Sequence, residues 1–151
     1  MSTGEPARAL LASAAAWLDQ GRRVDRLSRL LTVTALAALV AIAVLGAPKL
    51  MVVALLGLSV LAGAAELYLA VRVGFDAALF RRLAQAADAG TLELANLDAA
   101  LTTMGLLPAG KAGRPLAARV AGACSLLYQQ AGSLALQIAL FLLGAVIAAL
   151  S

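Results

Sequence analysis

The chain has 151 residues, of which 63% are hydrophobic and only 13% charged, against roughly 45–50% apolar for soluble domains. Its mean hydropathy is +0.95, more apolar matter than a soluble core of this size encloses, because small domains keep much of their surface in water. The net charge of +4 does not describe a nucleic-acid face, which interleaves basic clusters with stacking aromatics; aromatic residues are only 4% here. Histidine is absent and Cys124 is the one cysteine, which excludes an internal disulfide and a Cys/His metal site within one copy.

In chain order, residues 1–29 read as a cytoplasmic amphipathic helix. Pro6 after Glu5 suits a first helical turn, where the missing N–H costs nothing. Leu10, Ala14, Trp17, Val24, Leu27 and Leu31 recur near helical spacing, with Arg22, Arg23, Arg26 and Arg29 mainly on other faces. This helix is expected at the membrane surface, Trp17 at headgroup level as an interfacial anchor. Packing against the protein's own cytoplasmic part is the alternative.

Residues 30–46 carry no charge and end in the turn signal Gly46-Ala47-Pro48-Lys49. They form the first expected transmembrane helix, short but within the ~17–25 residue range. A cleavable signal peptide is disfavoured by the long polar lead and the immediate second apolar run. Residues 50–71 make the second span, interrupted only by Glu66 and closed by Arg72, so that 30–72 is a transmembrane hairpin.

Residues 73–119 are the one sizeable extramembrane segment, a cytoplasmic helical cap. Phe75, Leu79, Phe80 and Leu83 mark one side of a short helix, Arg81 and Arg82 the other. Thr91 after Gly90 is a suitable N-cap. Leu94, Leu97, Leu101 and Met104 then follow at amphipathic spacing. Residues 107–115 read as a loop, with Pro115 opening the next helix. Residues 120–151 hold no charge, and as one helix would run about 48 Å against a ~30 Å hydrocarbon core. Tyr128-Gln129-Gln130 is therefore expected to break it at the interface, Tyr128 serving as a second anchor and 131–150 as the third span.

The fold class expected is thus an all-α integral membrane protein: a hairpin plus one further span, an N-terminal amphipathic helix and a small cytoplasmic helical cap. Five arginines precede the first span and six basic residues lie between the second and third, while Lys49 alone falls on the opposite side. That bias predicts a cytoplasmic N-terminus and an external, periplasmic C-terminus. Ten arginines against two lysines, with abundant alanine, suggest a bacterial source and hence the inner membrane.

Within the apolar spans Glu66 is the most informative side chain. An ionised carboxylate there is costly unless paired, neutralised or hydrated. Glu66 shares a face with Ser59, Gly63 and Ala70, and Ser59-x-x-x-Gly63 has the small-x-x-x-small form that lets helices approach closely. Gln130, Ser133, Gln137 and Gly144 make a matching stripe on the third span. Counted from Gln130, Gln137 lies about 10 Å deep, near the level of Glu66, which predicts a Glu66–Gln137 hydrogen bond. The alternatives for Glu66 are snorkelling to Arg72, a clasp on a partner helix, and ion coupling.

Other candidates for chemistry are poor. Asp88, Glu93 and Asp98 are expected on a solvated face, Gly110-Lys111-Ala112-Gly113 lacks phosphate-loop spacing, and Cys124 is expected to be a small buried residue. No catalytic, cofactor or metal residues are expected, and no nucleic-acid partner. The expected function is a non-enzymatic accessory or assembly subunit of a bacterial inner-membrane complex, whose partners are the lipid bilayer and other membrane subunits or further copies. A holin-like permeabilising oligomer and a small oligomeric channel or transporter component using Glu66 are the rival readings; three spans without an inverted repeat argue against a carrier.

Overall fold

The computed structural model describes residues 4–46, 49–89, 93–106, 110 and 112–150. Among them the chain is all-helical: α1 (Gly4–Leu18), α2 (Gly21–Leu45), α3 (Leu50–Asp88), α4 (Leu94–Thr103) and α5 (Leu116–Leu150). Three stretches, Glu5–Leu45, Leu50–Asp88 and Leu116–Leu150, are long and apolar enough to cross a membrane. The helices fall into two compact units, one of Met1–Leu18 with Phe75–Ser125, the other of Asp19–Gly74 with Leu126–Ser151.

Several expected boundaries move. The amphipathic segment 1–29 is not one helix: the chain turns at Asp19–Gln20, where the amides of Arg22 and Arg23 donate to the carbonyls of Asp19 and Gln20 at 3.2 and 2.9 Å. Val24, Leu27 and the arginines after Gly21 thus belong to α2. The helix ends at Gly46, whose φ of 67° is the left-handed conformation that glycine adopts without a Cβ penalty. α3 runs on past Arg72 to Asp88 through 39 residues, about 58 Å, so the helix is longer than the expected span. Tyr128-Gln129-Gln130 does not break α5, which is continuous over 35 residues. Nothing in these apolar sequences removes an i to i−4 hydrogen bond, and a polar side chain alone does not stop a helix whose interior partners satisfy it.

The first unit packs short helices. α1 buries Leu11, Ala14, Ala15 and Leu18, one residue round from the expected stripe, leaving Leu10 and Trp17 39% and 50% exposed. The last part of α3 buries Ala77, Phe80, Leu83 and Ala87, while Phe75 stays outside. Leu101 is buried on α4 and Met104 exposed. The residue entering α4 is the extended Glu93, whose carboxylate accepts from the Asn96 amide; Thr91, the expected cap, lies outside the described residues. Arg8 pairs with Asp88 at 3.0 Å on the surface.

Asp98 is not on a solvated face. It is buried on α4, accepts from the Arg119 guanidinium of α5 at 2.8 Å, and accepts from the Gly113 amide at 2.8 Å. One carboxylate thereby ties α4, the following loop and the start of α5. The Arg119 hydrogen bond, aided by the Gly113 N–H, holds its carboxyl below the usual aspartate range. A depressed folded-state value means that this tie is present above the unfolded-state value and lost as pH falls through the folded one. Acid unfolding followed by circular dichroism should therefore show Asp98→Asn starting less stable than the wild type at neutral pH and losing less on acidification. Parallel acid curves for the two proteins would refute this role.

The second unit is a three-helix bundle in which α2 and α5 run parallel and α3 antiparallel, as three tiers of buried residues show. Gly21, Glu66 and Gln130 make the first, Ser28, Ser59 and Gln137 the second, Ala35, Val52 and Gly144 the third. Each step is seven residues on every helix, the repeat that keeps one seam inward in left-handed packing. The third tier is apolar: Ala35, Val52 and Leu56 are buried together, with Ile42, Phe141 and Ile147 packed round them. The exterior of the same helices is also apolar, with Leu30, Val33, Val40, Leu61, Val71 and Leu136 all more than half exposed. Polar groups inside and large apolar side chains outside suit a lipid environment, where hydrocarbon cannot hydrogen-bond a stray polar group.

Candidate functional site

The feature that distinguishes the second unit is its polar seam. Its hubs are two glutamines one heptad apart on α5, both with no solvent exposure, as is Glu66. They reach other helices because the positions opposite them on α2 and α3 are small. A Cβ added at Gly21 would lie 2.7 Å from Gln130 Oε1 and 2.9 Å from Val73 Cγ1. One added at Gly63 would collide with Thr32 Oγ1 and stand 2.8 Å from Gln137 Nε2. Ser28 fills the corresponding place at the second tier.

Gln137 is saturated. Its Nε2 donates to the Ser28 carbonyl at 3.1 Å and to Thr32 Oγ1 at 2.8 Å, and its Oε1 accepts from Ser28 Oγ at 2.7 Å. The Ser59 hydroxyl donates to its backbone carbonyl at 3.2 Å. Between the tiers, Ser133 Oγ donates to the Ala62 carbonyl at 2.9 Å. Thr32 also returns its own hydroxyl proton to the Ser28 carbonyl at 2.9 Å. The second tier thus binds all three helices and leaves none of its side-chain groups unpaired.

Gln130 does the same work one heptad earlier, less completely. Its Nε2 donates to the Gly21 carbonyl at 2.9 Å and to Glu66 Oε1 at 2.7 Å. Gln130 Oε1 and Glu66 Oε2 are buried and have no hydrogen-bond partner. Glu66 therefore pairs with Gln130, not with Gln137 as depth counting predicted. That count took Arg72 and Gln130 as levels of the membrane boundary; the heptad register between α3 and α5 instead sets Glu66 opposite Gln130.

Of the residues singled out from sequence, Glu66, Ser59, Gly63, Ser133 and Gln137 come together in this seam. Ala70 is half-buried. Trp17, on α1 of the other unit, and Tyr128 take no part in it; Tyr128 is 66% exposed on α5. Sequence reasoning missed Gly21, Ser28 and Thr32; it set Gln130 on one stripe with Ser133 and Gln137 but expected Glu66 to pair with Gln137. The available signal was the seven-residue spacing of Gly21, Ser28 and Ala35, which matches Gln130, Gln137 and Gly144. Among the described residues no three of His, Cys, Asp and Glu gather to hold a metal ion, and Cys124 is half-buried on α5. Comparison with protein-family models, with curated proteins and with solved structures finds no match to this chain. The fold defines a class: an all-helical chain with three helices long and apolar enough to span a membrane.

The seam makes a sharp prediction about close approach. Interhelical hydrogen bonds in membranes contribute on average ~0.6 kcal/mol, whereas overpacking a close contact costs about 1–3 kcal/mol, occasionally more. Gly63→Leu should lower the thermal midpoint in detergent clearly, more than Gln137→Leu, whose loss is several modest bonds. Gly57→Leu, at a position with nothing within 4 Å of an added Cβ, should be neutral within error. Equal midpoints for the two glycine variants would show that α2 and α5 do not press on Gly63.

Proposed function

We propose that the chain is a non-enzymatic accessory or assembly subunit of a bacterial inner-membrane protein complex, acting by helix packing. The observation carrying this reading is a division of small residues into two sets. Gly21, Gly63 and Gly144 meet other helices of the same chain, whereas helical Gly57, Gly122 and Gly132 meet nothing within 4 Å. Small residues let helices approach where hydrocarbon supplies no driving force of its own. The outward glycines therefore offer room for another membrane helix, from a different subunit or another copy. The hydrogen bonds of Gln130 and Gln137 run between helices of the second unit itself, which suits a scaffold better than a reaction centre.

The chain is placed with its N-terminus in the cytoplasm and its C-terminus outside, on the support of eleven basic residues out of twelve. In a Cys124→Ser background, cysteines introduced at Asp19 and Ala112 should react with an impermeant maleimide only after the cells are opened. One at Lys49 should react in intact cells. Labelling of position 112 from outside would reverse the orientation.

Purification in mild detergent from the native host should bring down larger membrane proteins in fixed ratio. Gly132→Leu should release them while leaving the thermal midpoint of the chain itself unchanged. A chain that purifies alone, and whose expression arrests growth with leakage of small solutes, would instead establish the holin-like reading.

A further inference from the structure

The two tiers of the seam differ in one respect that bears on chemistry. Around Gln137 donors and acceptors balance. Around Gln130 they do not. The orientation of the Gln130 amide is set by its neighbours, because the Gly21 carbonyl and Glu66 Oε1 are both acceptors and only the NH₂ end serves them. Its oxygen and the second carboxylate oxygen are then left facing no donor. The buried polar and charged residues among those described are Ser28, Ser59, Glu66, Asp98, Gln130 and Gln137, with no lysine or arginine to offset Glu66.

The tier therefore lacks one donor and one positive charge. A hard metal ion is a poor candidate, because such ions take six or more oxygens and only two here are uncommitted. A proton supplies both the charge and the donor without adding a ligand. We propose that the Gly21–Glu66–Gln130 tier is a proton-binding site, in which Glu66 Oε2 carries the acid hydrogen in the folded protein. Release leaves the carboxylate in the bundle and delivers the proton to water, with no other bond made or broken. The bound proton removes an uncompensated ion from an apolar setting, where it would be expensive. Its loss loosens the hold of α3 on α5, so the tier is a proton-sensitive latch, a property independent of whether a partner docks on the outward glycines.

The charged and titratable groups around this level are few. On α2, Arg29 is within electrostatic reach of Glu66, but its exposed guanidinium is engaged by Asp25 at 2.8 Å. On α3, Tyr68 and Arg72 are exposed, Arg72 donating to the Tyr68 hydroxyl at 3.3 Å. On α5, Tyr128 is exposed. None of them hydrogen-bonds the carboxyl of Glu66.

The test is infrared spectroscopy of the full chain in lipid, with ¹³C-labelled glutamate to assign carboxyl bands. The glutamates are Glu5, Glu66 and Glu93, and Glu5 and Glu93 are exposed, so a protonated carboxyl band at neutral pH that carries the isotope shift belongs to Glu66. That band is expected, and should disappear in Glu66→Gln. Thermal midpoints should fall as the pH is raised from neutral to alkaline in the wild type. They should stay flatter in Glu66→Gln, the neutral isostere, with the same tyrosines as internal control. Only ionised glutamate bands at neutral pH would overturn the proposal. If the midpoint then rose with sodium but not with choline, the tier would be a sodium site; with no sodium effect, it would be a hydrated carboxylate. The labelled wild-type spectrum decides the matter even if Glu66→Gln fails to fold.

Discussion

The second unit depends on one constraint: a polar group held among apolar helices must find its partner within the protein. Gln130 and Gln137 meet it by reaching across to α2 and α3, each engaging a backbone carbonyl as well as a side chain. The bonds are individually weak, since the unfolded chain in a membrane also finds partners. Their effect is positional. Gln137, whose amide is matched at both ends, accepts one register, and sliding α2 by a turn would strand several buried groups at once.

The small residues make that register reachable. Gly21 and Gly63 leave no room for a Cβ against Gln130 and Gln137, so the polar bonds and the close approach are one arrangement seen from two sides. Further along, the same heptad continues without polar groups, through Ala35, Val52 and Leu56. The bundle thus changes along its length from hydrogen-bonded to purely packed, and among its described residues the one buried carboxylate, Glu66, sits at the polar end. The first unit solves a similar problem by ionic means: Asp98 and Arg119 are both shielded, and each satisfies much of the other.

The expected Glu66–Gln137 pair shows where sequence reasoning stops. Depth was counted from the expected membrane boundaries at Arg72 and Gln130, and such a count does not set which residues of two helices lie side by side; Glu66 stands opposite Gln130 itself. Long helices crossing a membrane need not stop at its boundary, and a polar residue at that level can equally face a neighbouring helix. On α1 the face buried within the protein lies beside the stripe that was expected at the membrane surface. Leu10–Ala14–Trp17 and Leu11–Ala14–Ala15–Leu18 are both apolar faces of the same helix, and periodicity alone does not choose between adjacent ones.

What the sequence determined by itself was composition-driven and local: the all-helical class, three helices long and apolar enough to span a membrane, the turn at Gly46, and the stripes containing Ser59, Gly63, Glu66, Ser133 and Gln137. Hydrophobic runs and small-residue spacing carry that information along a single helix. Only the tertiary structure decided that Gly21 and Ser28 are the counterparts of those glutamines, that Glu66 meets Gln130, and that Asp98 is buried against Arg119. Those choices depend on the register between helices far apart in the chain. No single helix encodes it, because it emerges when three surfaces find the one alignment that satisfies most of their buried polar groups and brings small residues to the points of closest approach.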